Sequence, residues 1–327
     1  MNVKKELLKT LAASDGAYVS GAELAEKLDV SRNAVWKAVK SLEAEGYTIE
    51  SAASKGYRLS DDNNRLSAEL IESKLSTASL GRSLIVLDET ESTNSVAKEL
   101  ASDGAAHGTV IVADKQTMGR GRLGRSFVSP SGTGIYMSVV IRPDFDIETA
   151  ALITSAAAVA AAEAVESLCG NEVQIKWVND LYINGRKICG ILTEASLGLE
   201  MKSLEYAVIG IGINVHCLGD SLGSELLGIA ASIEDETGIK ADRNCLCAEI
   251  LNRLEYQLEN ITSRKYLEEY RRREYLTGKE ITANAGSETL YGHAVGIDEN
   301  ANLIIELPDG SLRHLSSGEA NLCRIKK

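Results

Sequence analysis

The chain has 327 residues, 44% of them apolar and 25% charged, with 3 prolines. That is the make-up of an ordinary globular protein, long enough for two or three domains. A formal net charge of -12 argues against a general nucleic-acid binder, although a local surface can oppose the global sign. The most apolar segment, Ala150–Ala164, is too short for a membrane span and carries Thr154, Ser155 and Glu163. The N-terminal MNVKKELLKTLAAS is amphipathic and lacks the apolar block of a signal peptide. The expected location is the cytoplasm, with no membrane partner. Cys169, Cys189, Cys217, Cys245, Cys247 and Cys323 form no CxxC pair and read as reduced, small apolar residues. His107, His216, His293 and His314 show no metal-ligand spacing. No protein-only metal site and no tightly bound metal or prosthetic group is expected.

Leu7, Leu8 and Leu11 recur at helical spacing in Lys4–Ser14. Ser20-Gly-Ala-Glu23 is a capping-box pattern that opens a second helix reaching Asp29. Ser31 caps a third, Arg32–Glu45, which Gly46 ends. The short gap between the second and third helices marks a helix-turn-helix. Tyr47–Ser51 and Gly56–Leu59 read as two short strands around Ser54 and Lys55, which makes the motif winged. Val35, Val39 and Leu42 face inward. Arg32, Asn33, Trp36, Lys37 and Lys40 face outward, with Ser31 at the helix start and Lys55 and Arg58 on the wing. This face suits the phosphates and base edges of a major groove. The alternative is a small protein-binding domain with a solvated charged face. Acid and base nearly balance here, and it is the topology that favours DNA. Trp36 either stacks on sugar or packs under the wing.

Asp61–Asn64 reads as a linker and Leu66–Leu75 as a helix. Strands and helices then alternate: strand Ser83–Asp88, helix Ser95–Ser102, strands Thr109–Ala113 and Ile135–Ile141, helix Ala150–Leu168, and strands Glu172–Lys176, Asp180–Ile183, Lys187–Ala195 and Glu205–Val215. Many strands around one apolar helix predict an α+β domain on a mixed sheet. Helices Arg243–Arg264 and Tyr266–Tyr275 follow. Strands dominate from Gly278: Glu280–Ala283, Thr289–Asp298, Leu303–Leu307 and Leu312–Ser316.

Four stretches carry chemistry. Asp114–Arg125, DKQTMGRGRLGR, sets Arg120, Arg122 and Arg125 among Gly119, Gly121 and Gly124, and Ser129–Gly134 follows with more glycine. Glycine allows close backbone approach, and arginine offers a fork that fits carboxylate and phosphate oxygens. The coincidence favours an anion-binding loop over a solvated basic turn, and it matches neither a Walker loop nor a dinucleotide fingerprint. Ser92-Thr93-Asn94 stands at a strand-to-helix junction and serves either as plain helix capping or as the reader of a small polar ring. Lys176-Trp-Val-Asn-Asp-Leu181 leads through the hairpin turn Asn184-Gly185 to Lys187, folding Asn179 and Asp180 back towards that lysine. Lys187 is then either a solvated turn residue or a clamp on a carboxylate and a phosphate. In Val208–Val215, Gly210 and Gly212 bare one strand face for a flat ligand or for tight packing.

Together these motifs resemble the biotin protein ligases, specifically the two-function form that is also the biotin operon repressor. Glu91-Ser-Thr-Asn94, Gln116, GRGRLGR at 119–125, KWVNDL at 176–181, GRKICGIL at 185–192 and GIGINV at 210–215 carry the resemblance, which covers essentially the whole chain. It implies three domains: a winged helix-turn-helix at 1–63, a class II synthetase-like mixed-sheet α+β ligase domain at 64–274, and a small SH3-like β-barrel at 275–327. It implies activation of biotin by ATP with Mg²⁺ to biotinoyl-AMP, then transfer to a lysine of a biotin carboxyl carrier domain. By resemblance, Ser92, Thr93, Asn94 and Gln116 read the biotin bicycle. Arg120, Gly121, Arg122 and Lys187 hold the carboxylate and phosphate, with Lys187, Arg120 and Arg122 catalytic. Arg122, Lys176, Asn179, Asp180 and Asn214 hold ATP or the adenylate, and Ala230–Ile233 lies in the adenine region. The resemblance further implies an adenylate-dependent homodimer on palindromic operator DNA. Val178 replaces the family's usual proline, and Phe127 stands where an aromatic such as tryptophan often follows the loop. The rival readings are a biotin-sensing transcription factor without catalysis and a lipoate-type ligase. The first would lose the arginines or Lys187, and both are present. The second would show an RRxSGG-type motif and no winged helix.

Overall fold

The computed structural model describes residues 2–14, 16–60, 62–197, 204–219, 226, 228–286 and 288–323. Asp61 of the expected linker and residues 324–327 of the expected C-terminal domain lie outside the described residues. The chain divides into two compact units, Met1–Ser76 with Asp242–Glu249, and Thr77–Ala241 with Ile250–Lys327.

The first unit holds α1 (Val3–Ala13), α2 (Gly21–Lys27), α3 (Arg32–Ala44), the hairpin β1 (Ile49–Ala52) and β2 (Gly56–Leu59), and the short α4 (Ala68–Glu72). Its helix starts are set by small polar side chains. Ser20 accepts from Glu23 N, and Ser31 accepts from Ala34 N, each satisfying a free N–H of the first turn. Leu7, Leu8, Leu11, Leu24, Val35, Val39 and Leu42 converge in one buried core, which Leu70 of α4 joins. Hydrophobic burial of this kind contributes roughly 1.5–3 kcal/mol per fully buried large side chain. In the hairpin Ile49 pairs with Leu59 and Glu50 with Arg58. Tyr57 exchanges backbone hydrogen bonds with Val19 at 2.8 and 2.9 Å, which ties the wing to the approach to α2. Residues 242–249 contribute Asn244, whose Oδ1 accepts from Ser67 N at 2.9 Å, and Arg243, whose Nε donates to Asn64 Oδ1 at 2.7 Å.

The second unit holds a seven-stranded sheet and a five-stranded sheet. The first is built from β3 (Ser83–Leu87), β4 (Thr109–Ala113), β5 (Gly134–Ile141), β6 (Gln174–Lys176), β7 (Asp180–Ile183), β8 (Arg186–Leu197) and β9 (Leu204–Asn214), in the order β3-β4-β5-β9-β8-β7-β6. Only the β3–β4 pair is parallel, so the sheet is mixed as expected. Around it lie α5 (Thr93–Ser102), the single turn α6 (Ile147–Ala150), α7 (Ile153–Cys169), α8 (Ile233–Thr237), the C-terminal part of α9 (Arg243–Glu259) and α10 (Tyr266–Arg273). The turns α6 and α8 were not foreseen. The expectation that no apolar run reaches the length of a membrane span is corrected. The 22-residue stretch Glu148–Cys169 is long and apolar enough by length and composition. The helix continues through its few polar residues, and within the unit it packs on β6–β9 and α10. Ser155 and Tyr266 share a hydrogen bond of 2.9 Å at that contact.

The second sheet, β10 (Glu280–Ala285), β11 (Glu288–Ile297), β12 (Leu303–Glu306), β13 (Leu312–Leu315) and β14 (Glu319–Leu322), is antiparallel in the order β13-β12-β11-β10-β14. The return of β14 onto β10 gives the strand order of a small barrel opened between β13 and β14. Strand β14 was missed from the sequence. The buried Trp177 donates its indole N–H to Ala301 O at 3.0 Å and so binds the two sheets of this unit together. The Trp177–Val178 peptide is cis. All six cysteines are free.

Gly56 opens the second wing strand at φ 107°, where a Cβ would stand 2.1 Å from Val19 O. Gly56→Ala is expected to cost the first unit about 1–3 kcal/mol through left-handed strain and this clash. A lowered melting transition of the full chain, followed by circular dichroism, is the expected outcome; an unmoved transition would refute this account of the wing.

Candidate active site

Strand β4 delivers the chain into the arginine loop, and β5 takes it out. Between them the loop is pinned by backbone bonds from Gln116 N to Ser129 O (3.1 Å), Phe127 N to Gly119 O (2.9 Å) and Gly121 N to Arg125 O (2.7 Å). Arg122–Gly124 forms a 3₁₀ turn with Leu123 at φ 55° and 76% exposed. An apolar side chain is thus displayed at the loop's tip.

The start of α5 is not capped by its own hydroxyls. Ser92 makes no side-chain cap bond. The N–H of Thr93 goes instead to Gln116 Oε1 at 2.9 Å, which joins helix and loop. Gln116 Nε2 donates to Ser129 Oγ at 3.0 Å. Ser92, Thr93 and Asn94 are all buried. Of the two readings of this junction, plain capping by Ser92 or Thr93 is therefore excluded.

The β7–β8 hairpin turns on Asn184 (φ 50°) and Gly185 (φ 78°), the left-handed pair of a two-residue turn. It sets Lys187 Nζ 2.7 Å from Asp180 Oδ1. Lys187 is fixed further by its backbone, with N donating to Ile229 O and O accepting from Ala231 N, both at 2.9 Å. On β9, a Cβ at Gly210 would lie 2.2 Å from Asn94 Oδ1, and one at Gly212 would lie 2.8 Å from the Phe127 ring. The bare strand face thus admits the Asn94 amide and an aromatic wall. Phe127 also meets Tyr136 edge-on, with centroids 6.4 Å apart.

Every biotin- and ATP-site residue expected from the sequence lines one cavity of about 380 Å³: Ser92, Thr93, Asn94, Gln116, Arg120, Gly121, Arg122, Lys176, Asn179, Asp180, Lys187 and Asn214. This is an ordinary size for a small-molecule site. Ala230 of the adenine region lines it too. Five cations face it (Arg120, Arg122, Arg125, Lys176, Lys187) against two carboxylates, Asp180 and Glu319. Arg120 makes no hydrogen bond or ion pair among the described residues. Arg122 donates to Asn179 Oδ1 at 3.1 Å and to Gly318 O at 3.0 Å. Asn179 Nδ2 in turn donates to Ile191 O at 2.7 Å. Asn214 Nδ2 donates to Ala231 O at 3.0 Å. Lys176 Nζ donates to Asn321 Oδ1 at 2.7 Å. Burial lowers the Lys176 ammonium, against the pull of Asp180 and Glu319. Glu194, on β8 beside Asn94, is pushed up by burial. Its hydrogen bonds from Lys98 and Asn94, with the fields of Lys98 and Arg120, outweigh that push and hold it below the usual carboxylate range.

Sequence reasoning missed one wall. Gly318, Glu319, Ala320 and Asn321, at the start of β14, line the cavity. Glu319 grips Arg125 with two bonds of 2.9 and 2.6 Å, and the Arg125 hydrogen bond leads in keeping its carboxyl low despite burial. These residues lie nearly two hundred positions from the loop, and no local pattern announces them.

In the first unit, Ser31, Arg32, Asn33, Trp36, Lys37 and Lys40 fall on the exposed side of α3, and Lys55 is exposed in the wing turn. Lys40 pairs with Glu43 at 2.6 Å. Trp36 stands half exposed and outside the core cluster, so it is not packed under the wing. Arg58 is paired within the wing, its Nε and an Nη binding Glu50 at 2.9 Å each.

Residues 3–58 match an HTH domain, residues 86–214 the Biotin/lipoate A/B protein ligase family, and residues 276–322 the Biotin protein ligase C terminal domain. A Bifunctional ligase/repressor BirA from Bacillus spizizenii is 38% identical over 94% of this chain and 95% of that protein. The chain belongs to the family of bifunctional biotin ligase/repressors. The Escherichia coli member with the same designation is 29% identical across 98% of both chains. Among solved structures, the biotin protein ligase from Aquifex aeolicus in complex with biotin and ATP superposes with a TM-score of 0.63 at 28% identity, covering 74% of this chain and 99% of that one.

The Arg125–Glu319 contact is partly exposed, so it is worth at most about 1 kcal/mol. Glu319→Ala should therefore raise tryptic cleavage at Arg120, Arg122 and Arg125 by up to about 5-fold. Cleavage at the rate of the unsubstituted protein would show that the loop is held by other contacts.

Proposed function

We propose that the protein is an ATP-dependent biotin protein ligase that also represses transcription. The observation that carries the reading is one cavity lined by five cations together with Phe127, Gly210 and Gly212. A biotin carboxylate oxygen attacks the α-phosphorus of ATP, and pyrophosphate leaves with the electrons of the broken P–O bond. Two anions must meet in this step, and charge develops on the phosphoryl oxygens, so fixed cations are what the transition state needs. Arg120, Arg122 and Lys187 are the residues proposed for it. The backbone of Gly121 lies between the two arginines. Asn179, Asp180, Lys176 and Asn214 are proposed to position ATP and then the adenylate. The bicyclic head of biotin lies against Ser92, Thr93, Asn94 and Gln116.

Mg²⁺ is read as travelling with the ATP phosphates. The two cavity carboxylates are each paired with a cation, which leaves Asp180 as a single contact rather than a protein-only site. In the second step the free amine of a carrier-domain lysine attacks the acyl carbon, and AMP leaves. That lysine is the nucleophile. A loop closed over the anhydride would exclude water until the acceptor arrives. We further propose domain boundaries of 1–63, 64–274 and 275–327, a cytoplasmic location, and an adenylate-dependent homodimer that presents two copies of α3 to a palindromic operator.

Biotin-dependent exchange of label between pyrophosphate and ATP is the expected activity, with lipoate giving none. Tight biotin binding without exchange would reduce the protein to a ligand-sensing repressor. Arg122→Gly removes the bonds to Asn179 and Gly318 O. It should release biotinoyl-AMP to solvent, seen as biotinylation of bystander proteins, and weaken adenylate binding about 10- to 100-fold. An unaltered adenylate affinity would count against the role given to this loop.

A further inference from the structure

The five-residue helix α8, Ile233–Thr237, is far below the length at which an isolated helix holds in water. It persists because each part of it is tied to something else. Ser232 and Asp235 close a capping box at its start, and Ile233 is fully buried. Glu234 ties it to the end of β9. The Glu234 N–H donates to Val215 O at 2.9 Å, and its carboxylate lies 3.2 Å from His216 Nδ1. Glu236 ties it to the turn between β7 and β8. One oxygen of its carboxylate pairs with Arg186, and the other accepts from Asn184 Nδ2 at 3.1 Å. The Glu236 side chain is 6% exposed and that of Arg186 40%, so the acid is the inner partner.

This clamp stands beside the cavity without entering it. Among the described residues, Asn184, Arg186 and Glu236 are not part of the lining, whereas Lys187, Ile229 and Ala230 are. Lys187 follows Arg186 on β8 and spends both its backbone groups on the wall opposite, N donating to Ile229 O and O accepting from Ala231 N. That contact is an isolated bridge, Lys187 with Ala230, and not part of a ladder. The chain from Ala230 to Glu236 thus leaves β8 at Lys187 and returns to it at Arg186. The ion pair closes the ring.

We propose that Glu236 and Arg186 are positioning residues for the nucleotide, closing this ring so that the Ile229–Ala230 wall and Lys187 stand at a fixed spacing before ATP arrives. This rests on the ligase reading above, in which the adenine lies by Ala230 and the phosphates by Lys187. Neither residue touches the substrate. With the ring open, α8 loses its hold at one end and the wall is set only part of the time. ATP must then bind the fraction of molecules in which the wall is set, and its apparent affinity falls by that fraction. The groups proposed for the head of biotin sit at the start of α5 and in the arginine loop, outside the ring.

The test separates the two substrates. Glu236→Ala removes both bonds and should raise ATP KM in the exchange reaction about 10-fold. Biotin Kd, measured by calorimetry without ATP, should change by less than about 2-fold, because biotin does not draw on the ring. Glu236→Gln keeps an acceptor for Asn184 but loses the charge facing Arg186, so the rise should be about 3-fold. Arg186→Met changes the more exposed partner and carries the test should Glu236→Ala fail to fold, as followed by circular dichroism. It should reproduce the rise. Arg186→Met/Glu236→Ala should raise ATP KM no further than Glu236→Ala alone, since one contact cannot be lost twice. An unchanged ATP KM in the folded variants overturns the inference. So does an equal loss of biotin and ATP affinity, or single effects that multiply in the double variant. If the unsubstituted protein gives no biotin-dependent exchange, the ligase reading falls and this inference falls with it; if exchange is present and the variants leave ATP KM alone, only the inference falls.

Discussion

Five cations facing one cavity repel one another, and keeping them there is the constraint around which the second unit is built. Two like charges a few ångströms apart cost roughly 4 kcal/mol at the effective dielectric near a protein surface. The chain meets this with charge and with geometry. Asp180 sits against Lys187 and Glu319 against Arg125, while Arg122 spends its donors on Asn179 and a carbonyl of the second sheet. Arg120 alone keeps its fork free of a hydrogen bond or ion pair among the described residues. The cavity retains an excess of positive charge in a protein whose net charge is -12. Such an excess attracts a carboxylate and a polyphosphate into one place.

The same constraint explains the uses of glycine and apolar surface nearby. Strand β9 adds an uncharged wall to the cavity. Its bare positions take up the Asn94 amide at Gly210 and the Phe127 ring at Gly212. A ligand that carries both a polar ring and an anion suits such a mixed lining. The helix-turn-helix unit is organised differently. Its stability comes from a compact leucine and valine core, and its polar outer face is left to solvent or to a partner.

Much of this was legible in the residues. Serine caps at 20 and 31, the Asn184-Gly185 turn and the β-branched runs of β4, β5 and β9 are local signals, because a cap, a turn or a buried strand depends on neighbours within a few positions. The arginine loop and the KWVNDL–Lys187 hairpin were legible for the same reason. Short elements held by tertiary contact alone escaped: α6, α8 and β14 have too few residues for a period to show. The pairing of Arg58 with Glu50 across the wing also escaped, because strand register decides it.

By itself the sequence determined the order of elements, the winged motif, the mixed sheet and the identity of the residues that meet in the cavity. Each of these depends on residue type and short-range spacing. Tertiary structure alone decided that β14 closes the site beside the arginine loop, that Gln116 rather than Ser92 caps α5, and that Glu194 of β8 accepts from Asn94 and Lys98 of α5. Those facts join residues from twenty to two hundred positions apart. Hydrogen bonds and ion pairs act over about 3 Å of space whatever the separation along the chain, so only the folded coordinates reveal which distant donor meets which acceptor.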